Sequence, residues 1–256
     1  MAAASALLED IIRTAQAAGQ EVLEVYGRTH EVTTKEDGSP VTEADHRAQA
    51  IICARLDELD PDTPVVAEED RDRVAGVGEA PRFWLVDPLD GTKEFVGHSD
   101  EFTVNIALIE SGVPVLGVVL APALGRLFAA EPGISFVQDP GGRNPVTVRP
   151  VPAEGATVVS SRSHGDPDAL ARFQAERRIK DSITIGSSLK FCLVASGEAD
   201  LYPRFGRTME WDTAAGDAVV RGAGGRVVDL EGRPLRYGKP GWENPAFLAI
   251  GREPAG

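Results

Sequence analysis

Five carboxylates, Asp45, Glu68, Asp87, Asp90 and Asp212, stand where apolar runs end or helices begin. The run Phe83-Trp84-Leu85-Val86 leads straight into Asp87, and after Pro88 and Leu89 a second acid, Asp90, precedes Gly91-Thr92. An acid leaving so apolar a strand is expected to be partly buried, and a buried carboxylate requires a counter-ion or hydrogen bonds. Pro88 is expected to turn the chain, pinning the two acids on a stiff loop with the Leu89 carbonyl between them. A second apolar run, Val65-Val66, ends in Glu68-Glu69-Asp70. Its first acid would project from the carboxyl end of a strand, where sites collect in α/β sheets. Hard oxygen donors at this spacing suit Mg²⁺, which keeps several waters and accepts substrate phosphate oxygens. Glu69 and Asp70 read as solvated loop residues.

Gly91-Thr92 is expected to open a helical turn whose free N–H groups accept a phosphate. Asp212, in Trp211-Asp212-Thr213-Ala214-Ala215-Gly216, fits either the N-cap of the following helix or a metal ligand at a helix start. Thr42 and Asp45 have the spacing of a capping box. Asp-Gly-Thr after an apolar strand also belongs to phosphatases that form an aspartyl-phosphate from Asp-x-Asp-Gly-Thr. Here the nucleophile's position is Pro88, so that covalent route is closed and an activated water is the nucleophile.

The elements that must hold these groups follow from periodicity. Apolar residues at helical spacing predict helices over residues 5–26, with Gly27 as a left-handed cap, and from about 42 to 59. Short β-like runs follow at 64–67, 83–86, 102–108, 113–120 and 126–130, the last three as an antiparallel meander. The Pro- and Gly-rich stretch 139–155 is the expected lobe boundary. It separates an N-terminal lobe, 1–149, carrying two helices, the antiparallel sheet and the metal site, from an α/β lobe, 150–256, that completes the metal and nucleotide site. In the second lobe strands near 157–160, 183–185, 199–202, 227–230 and 246–250 alternate with helices over 166–177, 188–195 and 213–221.

Composition narrows the function. Forty Asp plus Glu against 26 Lys plus Arg give a net charge of −14 over 256 residues, which argues against a nucleic-acid polymer as partner. The two cysteines, Cys53 and Cys192, lack metal-binding spacing and are expected to be free thiols. The longest apolar stretch, 113–124, contains two prolines and a glycine and is too short to span a bilayer. The first ten residues lack a basic segment and are not a secretory signal.

In order and separation, Glu68-Glu69, the segment 84–92 and the segment 211–216 resemble the lithium-sensitive, magnesium-dependent phosphomonoesterase superfamily of inositol monophosphatase and fructose-1,6-bisphosphatase. The stretches 87–95, 101–108, 161–164, 186–191 and 201–204 are similar to its bacterial 3′(2′),5′-bisphosphate nucleotidase branch, the CysQ type. The pair Lys93-Glu94 ahead of Phe95 differs from what inositol monophosphatases usually carry. The resemblance covers nearly the whole chain. It implies a layered αβαβα fold and hydrolysis of adenosine 3′,5′-bisphosphate to AMP and phosphate, with the sulfated relative, 3′-phosphoadenylyl sulfate, as a further substrate.

By the same resemblance Glu68, Asp87, the Leu89 carbonyl, Asp90 and Asp212 hold Mg²⁺, and the Gly91 and Thr92 amides hold the phosphate. Asp45 and the Thr92 hydroxyl orient and deprotonate the attacking water, a role that competes with the capping box for Asp45. Read from its own position in a polar turn, Lys35 either approaches the water or the phosphate or is simply solvated. His164, Ser187, Lys190 and Arg204 meet the nucleoside and its second phosphate, which an inositol phosphate lacks. The implied location is cytoplasmic, with relatives on the inner face of the membrane, although no anchor is visible here. An inositol or sugar phosphatase is the neighbouring alternative, and a silent metal or nucleotide sensor would be expected to lack one of the acids. Oligomeric state is not legible.

Overall fold

The structure is a computed structural model, and it describes residues 3–28, 32–34, 40–73, 77–162 and 165–252. Two antiparallel helices, α1 (Ala6–Tyr26) and α2 (Glu43–Leu59), open the fold, with a short pairing of β1 (Val32–Thr34) and β2 (Pro40–Thr42) between them in the chain. Ser5 caps α1 by accepting from the Leu8 amide at 3.1 Å. Gly27 ends α1 with φ −73°, so the expected left-handed cap is not formed. The Gly27 N–H reaches the Leu23 carbonyl at 3.0 Å, which closes the last turn in ordinary right-handed geometry.

A seven-stranded sheet follows, in the order β3 (Val65–Ala67), β4 (Arg82–Asp90), β5 (Thr103–Glu110), β6 (Val113–Ala121), β7 (Arg126–Glu131), β8 (Ile134–Asp139) and β9 (Gly142–Pro145). Only the β3–β4 pair is parallel; the rest is a meander longer than expected. β9 falls within the stretch expected to be loop, as an exposed edge strand whose Gly and Pro residues weaken a strand signal. Alternate residues of β4 explain its unbroken apolar run. Trp84 and Val86 pack toward α1 and α2, whereas Phe83 and Leu85 pack toward the second half of the chain. A strand covered on both faces has no solvent side on which to place polar residues.

The second sheet runs β11 (Ile179–Ile185), β10 (Ala156–Ser161), β12 (Leu201–Arg204), β14 (Phe247–Ile250), β13 (Arg226–Asp229). Between the sheets lie α5 (Leu189–Ala195) and α6 (Ala214–Gly222), with α6 against β5, β6 and β7. Gly117 permits that approach, because a Cβ there would sit 2.6 Å from the Ala215 carbonyl oxygen. Helix α4 (Pro167–Ala175) covers the outer face of the second sheet through Phe173, which packs with Val158 and Leu201. The layers are therefore helix, sheet, helix, sheet, helix. One apolar cluster joins Phe83, Val119 and Phe128 of the first sheet to Phe191, Val219 and Phe247 of the second half. No helix among the described residues is long and apolar enough to cross a membrane.

Candidate active site

A cavity of about 320 Å³ opens where the two sheets meet, lined by Glu68, Asp87, Leu89, Asp90, Gly91 and Thr92 on one side and Ser187, Lys190, Arg204 and Asp212 on the other. Nine of the sequence-assigned site residues thus share its wall with Leu89 as the tenth. Asp45 stands behind Thr92. His164 and Lys35 lie outside the described residues.

Strand β4 does not turn at Pro88. Asp87 pairs with Asn105 and Asp90 with Thr103, so one extra residue on β4 forms a bulge. Proline is tolerated there because a bulge frees the backbone from the ladder. Asp87 is 1 % exposed and its Oδ1 accepts from the Leu89 amide at 3.1 Å, fixing the bulge. Gly91 then takes φ +92°, which only glycine adopts without strain, and caps the single turn α3 (Thr92–Val96). Glu68 begins a 3-10 turn directly after β3. Gln49 of α2 secures that turn, donating to Asp70 at 2.8 Å and accepting from the Glu69 amide at 3.1 Å.

Asp45 forms the capping box with one oxygen and leaves the other toward Thr92. Its Oδ2 accepts from the Thr42 amide at 2.7 Å and from the Thr42 hydroxyl at 2.8 Å, completing the capping box. Its Oδ1 faces the Thr92 hydroxyl at 3.4 Å, and that hydroxyl also reaches the Leu89 carbonyl at 3.2 Å. One carboxylate oxygen is structural, and the other is turned toward the site.

Asp212 is not the N-cap of α6; Thr213 is. The Asp212 carboxylate instead accepts from the Met209 amide at 2.8 Å, three residues upstream, which leaves its other oxygen for the cavity. Ser188 links the two walls, its hydroxyl lying 2.9 Å from Asp90 Oδ2 and 2.7 Å from the Asp212 carbonyl. Asn105 donates to the same hydroxyl at 2.9 Å. Neither Ser188 nor Asn105 was singled out from sequence. A signal existed for Asn105, a polar residue within the buried run of β5 that must find a partner.

Electrostatics set this cluster apart. Burial, then the neighbouring charges of Asp90 and Glu68, push the Asp212 carboxyl up to about 8. Asp90 is also raised, chiefly by burial, with Lys190 acting against it. Lys190 is 5 % exposed and is pushed down to about 8 by burial. Its ammonium donates to the Ser187 carbonyl at 2.5 Å and the Ile185 carbonyl at 3.4 Å. Ser187 takes φ +49°, an uncommon conformation for a non-glycine residue, and its buried hydroxyl has no partner among the described residues. Arg204, 6 % exposed, donates to the Arg207 carbonyl at 2.8 Å.

The donor set is hard oxygen throughout, and the carboxyls are raised first by burial and, at Asp212, then by neighbouring acids. Both features fit a divalent cation such as Mg²⁺. Among the described residues no three acids, imidazoles or thiols close into a ready-made cage. An open site of this kind suits an ion that keeps waters and binds substrate oxygens.

The inositol monophosphatase family model matches residues 4–249. The chain is 46% identical over 244 residues to the Escherichia coli K12 protein named 3′(2′),5′-bisphosphate nucleotidase CysQ, covering 94% of this chain and 98% of that one. Among solved structures, CysQ from Bacteroides thetaiotaomicron superposes with a TM-score of 0.82 at 35% identity, covering 95% of this chain and 96% of the other. The Thermotoga maritima inositol monophosphatase TM1415 does so with 0.79 at 27% identity, covering 96% and 92%. With its layered fold, its cavity acids and a match across nearly its whole length, the chain belongs to the inositol monophosphatase family.

Proposed function

We propose that this protein is a Mg²⁺-dependent phosphomonoesterase that hydrolyses adenosine 3′,5′-bisphosphate to AMP and phosphate, with 3′-phosphoadenylyl sulfate as a further substrate. The observation that carries this reading is that one cavity gathers groups of both charges. Asp90 and Asp212 meet there from opposite sides, while Lys190 and Arg204 line the same space beside Asp212. A substrate with two phosphates uses both kinds of group: one phosphate meets the cation, the other the basic pair.

Glu68, Asp87, the Leu89 carbonyl, Asp90 and Asp212 would hold the cation. When bound, it would lower the pKa of water and neutralise charge on the phosphoryl group and the leaving oxygen. The Gly91 and Thr92 amides hold the scissile phosphate. The Thr92 hydroxyl, placed between Asp45 Oδ1 and the Leu89 carbonyl, takes the proton of the attacking water as its own passes to Asp45. Water oxygen bonds to phosphorus, the bond from phosphorus to O3′ breaks, and the ribose 3′-oxygen regains a proton from solvent. Because Thr42 grips the other Asp45 oxygen, the accepting oxygen is held in one orientation. Ser187 and Lys190 contact the nucleoside and its 5′-phosphate, with Arg204 alongside.

The test is phosphate release from adenosine 3′,5′-bisphosphate and from inositol 1-phosphate under the same conditions. We expect the nucleotide to be preferred; a tenfold preference for inositol 1-phosphate would reassign the protein within its family.

A further inference from the structure

The cavity wall around Asp212 is held from behind. Strands β12 and β14 pair antiparallel, with Arg204 opposite Phe247, and the chain leaving β12 runs on beside the chain that leads into β14. The Asn244 amide donates to the Thr208 carbonyl at 2.9 Å and the Glu210 amide to the Trp242 carbonyl at 2.8 Å, with Met209 and Glu243 bridged antiparallel between them. Thr208, Met209, Trp211, Asp212 and Thr213 line the cavity. Asn244 and Glu210, 6 % and 0 % exposed, stand outside that lining.

A single carboxamide closes the turn in which Asp212 sits. Asn244 Nδ2 donates to the Met209 carbonyl at 2.8 Å and to the Thr213 hydroxyl at 3.0 Å, so it pins both ends of the turn 209–213. Its Oδ1 accepts from the Lys239 ammonium at 3.1 Å. That ammonium lies 2.6 Å from Glu210, whose carboxylate also accepts from the Gly238 and Lys239 amides at 2.7 and 2.9 Å. Two donors toward the turn and one acceptor toward an ammonium are what Asn offers; an ionised Asp has no donor to give.

The effect reaches Asp212 through one planar peptide unit, the group joining Thr208 to Met209. Its carbonyl is held by the Asn244 amide, and its N–H, on the opposite edge, donates to the Asp212 carboxylate at 2.8 Å. The Asn244 side chain fixes the next carbonyl, that of Met209. The plane therefore cannot rotate without breaking a bond of Asn244, and the direction of the Asp212 carboxylate is set with it. Partners that orient a ligating carboxylate in this way raise its affinity for a metal.

We propose that Asn244 is a positioning residue that fixes the Asp212 carboxylate in the orientation a divalent cation requires. The proposal rests on the reading of Asp212 as a cation ligand. It is tested on chelator-stripped protein by calorimetric titration with Mg²⁺ of the native chain, Asn244→Ala, Asn244→Asp and Arg149→Ala, each checked for folding by circular dichroism. Both Asn244 variants should bind Mg²⁺ roughly 10- to 100-fold more weakly, the usual cost of losing a group behind a metal ligand. The aspartate adds negative charge, which by itself would tighten cation binding, so a loss in that variant reports orientation rather than charge. If the added charge prevents folding, the alanine variant decides alone. Arg149→Ala, which loosens the fold away from the site, should leave the affinity within about twofold. Raising Mg²⁺ should restore turnover to the Asn244 variants. Native affinity in a folded Asn244 variant would overturn the proposal and leave the cation reading intact, whereas a native protein that binds no Mg²⁺ would overturn both.

Discussion

Buried carboxylates occur in this molecule in two settings. Asp200, Glu210 and Asp217 have no solvent exposure, and each meets a cation. Arg149 forks onto Asp200 at 2.8 and 3.0 Å, Lys239 reaches Glu210 at 2.6 Å, and Arg221 forks onto Asp217 at 2.6 and 3.1 Å. Backbone amides and a phenol complete these shells: Thr157 on Asp200, Gly238 on Glu210 and the Tyr237 hydroxyl on Asp217. Asp90 and Asp212 are also recessed, with one face open to the cavity, yet neither is gripped by a guanidinium: Asp90 meets the Ser188 hydroxyl and the charge of Lys190, and Asp212 meets the Met209 amide and the charges of Asp90 and Glu68. The first set fastens elements together; the second is the pair we propose to hold a cation. Depth of burial does not separate a structural acid from a functional one, whereas the identity of the partner does.

Four substitutions or titrations would break or sharpen that contrast. The largest effect is expected from Asp90→Asn, which should lower kcat on the order of 10⁴-fold by removing a cation ligand. Melting of the metal-free protein should be unchanged or raised, because a repulsion with Asp212 is removed. Arg149→Ala should do the reverse. Stranding the Asp200 carboxylate should cost about 3–5 kcal/mol of stability, read from urea unfolding, with turnover of the folded fraction within about twofold.

An intermediate effect concerns pH. With Asp212 pushed up to about 8 before a cation arrives, proton and metal compete for the same oxygens. Mg²⁺ affinity, followed by calorimetry, should therefore rise as pH goes from about 7 to 9, by at most about tenfold per unit, with proton release on binding. The smallest effect belongs to the surface. Arg143 grips Glu9 of α1 at 2.5 and 3.1 Å and holds its carboxyl below the usual range. A depressed carboxyl contributes stability that is present above the unfolded value and fades as pH falls through the folded one. Arg143→Ala should cost less than about 1 kcal/mol near neutrality and less again once Glu9 is protonated, when only the contacts with Gln138 and Phe136 are lost, as measured by denaturation from pH 7 downward.

The acids of the site were legible in the sequence because each ends an apolar run or starts a helix, and such a position forces a carboxylate to the edge of the core. Pattern alone left Asp45 and Asp212 ambiguous. The structure divides Asp45 between its two oxygens and moves the capping duty from Asp212 to Thr213. The bulge at Pro88 was out of reach, since whether a proline turns a strand or bulges it depends on the register of β5. Long-range partners were equally hidden. Arg221 and Asp217, four residues apart on α6, could be paired from helical spacing. Arg149 and Asp200, separated by 51 residues, could not. The Ser188 bridge from Asp90 to the Asp212 backbone belongs to this second kind.

The central claim is that these acids exist to bind the cation on which turnover depends. Its most direct test is phosphate release from adenosine 3′,5′-bisphosphate by chelator-stripped protein, before and after Mg²⁺ is restored. The expected result is no release without the ion and stoichiometric AMP and phosphate once it is returned. Equal rates under both conditions would contradict it.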